Sequence, residues 1–181
     1  MFSTKVIMKK LMSIALCLAC LSTAHIADAK GVPNPAFKDL AGHSQRLSEL
    51  RGQIVVLSFW ATWCAPCREE LPRLSKLSEE FAGRKVHFVA ASIDAPKDRA
   101  KIEPYLMKQE IHLDVWVGGS ADMLGRFGMG DIVPATLILD DQGQVITRIM
   151  GEAKDEDVRG PLNWLLNGRQ GTAPEQKLKR Y

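Results

Sequence analysis

Beyond residue 29 this chain of 181 residues has only two cysteines, Cys64 and Cys67. That excludes a scaffold held together by structural disulfides. It also leaves no second cysteine pair to complete a four-thiolate zinc site. Long apolar runs are lacking too: the stretch from Leu11 to Leu21 falls well short of the ~20 residues a membrane-spanning helix needs. Charge of one sign is scarce, since 24 Lys and Arg stand against 21 Asp and Glu for a formal net charge of +3. Nothing in that balance argues for nucleic-acid binding. With 46% hydrophobic and 25% charged residues, the chain suits one globular domain with a short extension at each end, and no room remains for a second domain.

What the N-terminus does have is the pattern of a secretory signal. Lys5, Lys9 and Lys10 form a basic start, Leu11 to Leu21 an apolar stretch, and Ala27-Asp28-Ala29 a small-x-small cleavage site. Residues 1–29 are therefore read as a signal peptide, with the mature chain beginning at Lys30; left uncleaved, the same segment would tether the protein. Cys20 follows Leu18-Ala19 and raises lipid attachment as an alternative, although Cys17 stands where a lipoprotein signal usually has Leu. Losing the signal removes Lys5, Lys9, Lys10 and Asp28 and lowers the formal charge from +3 to +1. Residues 30–167 then form the domain, and residues 168–181, polar, basic and aperiodic, are expected to be a flexible tail.

The two remaining cysteines sit in Trp63-Cys64-Ala65-Pro66-Cys67, directly after the apolar run Ile54 to Trp60 and before a helical pattern. That order places a dithiol at a helix N-terminus. Unpaired amides and the positive end of the helix dipole favour thiolate over thiol on Cys64, which makes it the attacking sulfur. Cys67, one turn on, is the resolving thiol that closes the internal disulfide and releases reduced product. Ala65 and Pro66 tune the potential through the local amides, and ~30 mV is worth about 1.4 kcal/mol.

Ile54 to Trp60 is apolar on both alternating faces except for Ser58, as a central strand covered on both sides would be. Asn34 to Leu40 reads as a short strand and turn before it, and Leu47 to Gly52 as a turn. Leu71, Leu74, Leu77 and Phe81 recur at helical spacing within Ala65 to Phe81, with Pro72 expected to kink that helix. Val86 to Ile93 is a second buried strand, followed by a helix over Lys97 to Gln109, a strand at Leu113 to Val117 and a short helix at Asp122 to Phe127. A hairpin joins Ala135–Leu139 to Val145–Ile149 across Asp140-Asp141-Gln142-Gly143. The last helix, Lys154 to Leu166, is interrupted by Gly160-Pro161, where a restart is expected.

This order resembles the thioredoxin superfamily over nearly all of the mature chain. Phe59-Trp60-Ala61-Thr62-Trp63-Cys64-Ala65-Pro66-Cys67-Arg68-Glu69-Glu70-Leu71-Pro72 is similar to the signature of TlpA-like extracytoplasmic thiol-disulfide oxidoreductases, which include cytochrome c maturation reductants. The resemblance implies an α/β thioredoxin-like fold, a central mixed sheet flanked by helices with an N-terminal β extension. It assigns Pro134 as a cis proline facing the cysteines and leaves the Val133 backbone free to pair with an extended substrate; the alternative for Pro134 is an ordinary strand-starting proline. Thr136 fits the Pro-x-Thr pattern. Where many thioredoxins carry a buried Asp, this chain has Ser58, which cannot act as a base. Closer relatives use a Glu on the active-site helix, here Glu70, either a proton acceptor for Cys67 or part of a solvated face with Glu69. Trp63 either contacts substrate or simply packs. Trp60, His43, His87 and His112 are read as structural.

The implied activity is reduction of protein disulfides in the periplasm, with electrons from a membrane donor, no cofactor beyond the Cys64–Cys67 disulfide, no metal, no nucleic acid and a monomeric state. Two alternatives remain: an oxidase or isomerase running the same sulfurs in the other direction, or a copper-handling protein, since thiolates suit Cu(I). Copper-binding relatives use CxxxC and a distant His, a spacing this chain lacks. A thiol peroxidase is disfavoured by the missing Pro-x-x-x-Thr-x-x-Cys loop.

Overall fold

The computed structural model describes residues 32–180. The signal peptide read at 1–29, its cleavage or tethering, and Cys17 and Cys20 lie outside the described residues. The chain enters through two short strands, β1 (Phe37–Asp39) and β2 (Ser44–Gln45), then a 3-10 turn (Leu47–Leu50) and β3 (Ile54–Trp60). There follow α1 (Ala65–Glu80), β4 (Val86–Ser92), a second 3-10 turn (Pro96–Lys101), α2 (Ile102–Lys108) and β5 (Asp114–Val117). The second half is α3 (Ala121–Arg126), β6 (Ala135–Leu139), β7 (Val145–Gly151), α4 (Asp155–Leu166) and β8 (Lys177–Arg180).

One eight-stranded mixed sheet results, in the order β2-β1-β5-β4-β3-β6-β7-β8. β3 takes the centre because every one of its residues is buried, which only a strand covered on both faces can satisfy. It runs parallel to β4, from Ile54 opposite Val86 to Trp60 opposite Ser92, and antiparallel to β6, with Ser58 opposite Thr136. The strand's two-residue period divides the core. Val55, Leu57 and Phe59 pack with Trp116, Leu124 and Phe127 on one face. Ile54 and Val56 meet Leu74 and Leu77 of α1, Phe81 just after it, and Val158 and Leu162 of α4 on the other. Trp60 shares that second face with Cys64, Cys67, Leu71, Ile102 and Leu106. Burying each such side chain is worth ~1.5–3 kcal/mol. α1 is thereby fixed over the end of β3 where the cysteines lie.

Several expectations are corrected. The helix anticipated over Lys97 to Gln109 is a 3-10 turn followed by α2, beginning only at Ile102. Pro104 has no N–H for the carbonyl four residues back and its ring crowds that carbonyl, so Pro104 is accommodated only in a first turn. The helix of α1 continues through Pro72, the position where a kink is expected. The carbonyl that Pro72 leaves without a donor is that of Arg68, and the Tyr105 hydroxyl of α2 donates to it at 3.4 Å. α4 does not restart at Gly160-Pro161; burial of Val158 and Leu162 against the sheet offsets the ~3 kcal/mol an interior proline costs.

The tail read as flexible over 168–181 contains β8, which pairs parallel with β7 from Arg148 opposite Lys177 to Gly151 opposite Arg180. Main-chain pairing holds this segment, not an apolar face, so side-chain periodicity carries little sign of it. Leu178 alone packs onto the core, and Arg180 is tied to Asp157 at 2.7 Å. Gly151 permits the approach: at φ +94°, a Cβ there would sit 2.4 Å from the Arg180 carbonyl oxygen.

Candidate active site

β3 ends at Trp60, and the chain must turn at once to start α1. Asp94, just past the end of the neighbouring β4, shapes that turn. Its buried carboxylate accepts from the Thr62 N–H at 3.0 Å, the Thr62 hydroxyl at 2.6 Å and the Ser92 hydroxyl at 2.8 Å. The turn delivers Cys64 to the N-cap of α1, where its Sγ accepts from the Cys67 N–H at 3.2 Å. Pro66 falls in the first turn, where a missing N–H costs nothing because no intrahelical acceptor awaits it. Ala65 and Pro66 are exposed.

Cys64 and Cys67 are joined as a disulfide. Cys64 retains 4% exposure and Cys67 none, so an incoming thiolate meets Cys64 first. Once the bond is opened, the helix N-terminus favours negative charge on that sulfur. Opposite lies the segment before β6, where the Val133–Pro134 peptide is cis and the Val133 carbonyl oxygen is 3.5 Å from Cys64 Sγ. The β6 register begins only at Ala135, which leaves Val133 outside the sheet ladder beside the sulfur. Trp63 is 64% and Ile132 46% exposed; Trp63 adjoins Cys64 in sequence and Ile132 adjoins Val133, giving the site an apolar rim. Trp60 is fully buried against Tyr105, with ring centroids 5.5 Å apart.

Glu70 is not on a solvated face. It is 1% exposed, one turn beyond Cys67 on the side of α1 that meets the sheet. Oε1 accepts from the Ser58 hydroxyl at 3.0 Å and the Thr136 hydroxyl at 2.9 Å, and Oε2 from the Ala153 N–H at 2.7 Å. The facing of Ser58 and Thr136 across β3 and β6 makes the paired hydroxyls. Burial raises the carboxyl from 4.5 to about 7, against the opposing pull of the Ala153 N–H, the two hydroxyls and the Arg73 charge. Glu70 is therefore partly protonated at neutral pH, a group able both to hold and to release a proton in apolar surroundings.

The histidines stand apart from this cluster. His43 pairs with Asp39 at 3.0 Å and His87 with Asp114 at 3.1 Å, and the His112 N–H donates to Ser75 Oγ at 2.9 Å. Sequence reasoning missed Asp94, Thr62, Ser92 and Ala153. For Asp94 a signal existed: an acidic residue just beyond the C-terminal end of a buried parallel strand, where α/β sheets gather their functional groups.

Fold and site together place the chain among thioredoxin-fold redox proteins. A family model described as AhpC/TSA family matches residues 29–148, more than half the chain, and the protein belongs to that family. It is 29% identical over 133 residues to thiol-disulfide oxidoreductase ResA of Bacillus cereus, covering 74% of this chain and 75% of that protein. The ResA of Geobacillus kaustophilus is 29% identical over 137 residues, with 76% and 77% covered. Among solved structures, a thiol:disulfide interchange protein of the thioredoxin family from Chlorobium tepidum superposes with a TM-score of 0.63 at 23% identity, covering 75% of this chain and 95% of that one. That likeness establishes the fold.

Proposed function

We propose that this protein is a thiol-disulfide oxidoreductase that reduces disulfides of protein substrates in the periplasm, as a monomer recharged by a membrane electron donor. The observation that carries the reading is the asymmetry of the pair, with Cys64 at the helix cap and the more open of the two, and Cys67 fully buried one turn before the buried Glu70. In the reduced protein the Cys64 thiolate attacks one sulfur of the substrate disulfide. That bond breaks, the leaving sulfur departs as a thiolate and takes up a proton, and a mixed disulfide remains on Cys64. Cys67 then gives its proton to the Glu70 carboxylate and attacks Cys64 Sγ. The second substrate sulfur leaves, the Cys64–Cys67 disulfide re-forms, and two electrons have passed to the substrate. Trp63 and the Val133 backbone hold an extended substrate segment beside Cys64. Ala65 and Pro66 set the potential, and no cofactor beyond the disulfide is required.

Among the described residues no helix is long and apolar enough to cross a membrane; the periplasmic assignment rests on the leader read at residues 1–29 and on the family resemblance. The equilibrium potential of the Cys64–Cys67 pair in a thiol redox buffer tests the direction. A value near or below about −270 mV supports a reductase, whereas one near about −120 mV means the protein inserts disulfides and the proposed direction is wrong.

A further inference from the structure

We infer that Arg73 is a positioning residue for Glu70: its guanidinium clamps residues 152–155 onto α1 and so keeps the Ala153 N–H aimed at the buried carboxylate. Arg73 follows Glu70 by three positions on the same helix and is 30% exposed. Its Nε donates to the Glu69 carbonyl at 3.2 Å. Nη1 donates to the Ala153 carbonyl at 2.9 Å and to Asp155 Oδ1 at 3.2 Å, and Nη2 to Glu152 Oε1 at 2.5 Å. Ala153 is thus held on both sides of its backbone. Its N–H serves Glu70 at 2.7 Å and its carbonyl serves Arg73. An exposed ion pair of the usual kind contributes little, but this one fixes the main chain that supplies the strongest counterweight to burial of Glu70.

A planar fork is what the task demands. Three acceptors from residues 152–155 and one from the helix's own turn need donors on both guanidinium edges, which the point charge of a lysine cannot reach together. The groups acting on Glu70 are Ser58 on β3, Thr136 on β6, Ala153 beyond β7 and, through its charge, Arg73 on α1; Cys67 lies one turn before it on the same helix. Glu152 and Asp155 stand behind Arg73, and Lys154 bonds Glu152 at 3.1 Å. Without Arg73 the 152–155 segment loses its anchor on α1, Asp155 loses this ion pair and Glu152 keeps only Lys154. These changes favour the protonated acid.

The consequence for thiol chemistry rests on the proton-acceptor reading of Glu70, so the test separates the two. The Glu70 carboxyl is titrated directly by carbon-13 NMR in the oxidised protein, and the pH profile of disulfide exchange is measured in parallel. Arg73→Met is expected to raise the Glu70 midpoint by at least about half a pH unit, roughly threefold in proton affinity, and Arg73→Lys by a smaller amount. Arg159→Met, which removes another α4-to-α1 ion pair, to Glu80, leaves the midpoint in place. An unmoved midpoint in folded Arg73→Met or in Arg73→Lys, which keeps the charge but not the fork, or an equal shift in Arg159→Met, overturns the clamp. Should Arg73→Met fail to fold, Arg73→Lys decides by the same criterion. A moved midpoint with an unchanged exchange profile upholds the clamp and removes Glu70 from the proton path.

Discussion

Replacing Glu70 by Gln should abolish a pH dependence of stability that the wild type carries. The folded-state value of about 7 lies above the ordinary 4.5, so between these two pH values the folded protein holds a proton that the unfolded chain has released. Stability is full below 4.5 and is lost as pH rises through about 7. At 1.36 kcal/mol per unit, the loss amounts to roughly 3 kcal/mol, and burial leaves little solvent screening to discount it. Gln fits the site with its amide turned so that oxygen accepts from Ala153 and nitrogen donates to the Ser58 and Thr136 hydroxyls, which rotate to accept. The variant therefore has nothing to titrate there. Urea denaturation of both oxidised proteins at pH 4, 6, 7 and 8.5 measures the effect, because other titrating groups cancel in the difference. Wild type should lose about 3 kcal/mol relative to Glu70→Gln across the series; parallel curves within about 0.5 kcal/mol would refute the buried-acid argument.

Cys64→Ser should end turnover, while Cys67→Ser should accumulate a mixed disulfide on Cys64 that peptide mass spectrometry locates; an adduct on Cys67 would reverse the two roles. Asp94→Asn should slow alkylation of reduced Cys64 and destabilise the fold by about 1.5–3 kcal/mol through its weakened hold on Thr62. Thermal melts and iodoacetamide kinetics check both effects, and unchanged rates would show that the turn keeps its shape without the carboxylate. Gly151→Ala should cost about 1–3 kcal/mol, through both its left-handed backbone and the collision with Arg180. If hydrogen exchange then shows residues 177–180 protected as in wild type, that close approach does not govern the docking of β8.

The strands were legible because burial on both faces leaves a continuous apolar run, and the cysteine pair because two sulfurs at that spacing before a helix allow few other uses. Glu70 was half legible. The family resemblance offered it as a proton acceptor and its charge beside Glu69 offered a solvated face, and only the hydroxyls of Ser58 and Thr136 resolve the conflict. Those hydroxyls come from two strands 78 positions apart in sequence, and their meeting is a matter of sheet register. Ala153 and Asp94 escaped notice for a related reason: each acts through contacts that only the closed sheet brings within reach. β8 escaped because a strand held by its main chain, with a single apolar residue among three basic ones, has no pattern to read.

β8 also changes what the molecule offers its neighbours. Without it, the seven residues of β7 would end the sheet in a long row of unpaired amides and carbonyls, a template for any passing strand. With it, the outermost strand on that side is Lys-Leu-Lys-Arg, and the opposite end is closed by a strand of only two residues. Short edges and like charges discourage two sheets from joining. A protein whose proposed work is to receive extended segments beside one cysteine thus presents, among the described residues, short or charged edges where such a segment would not readily lodge.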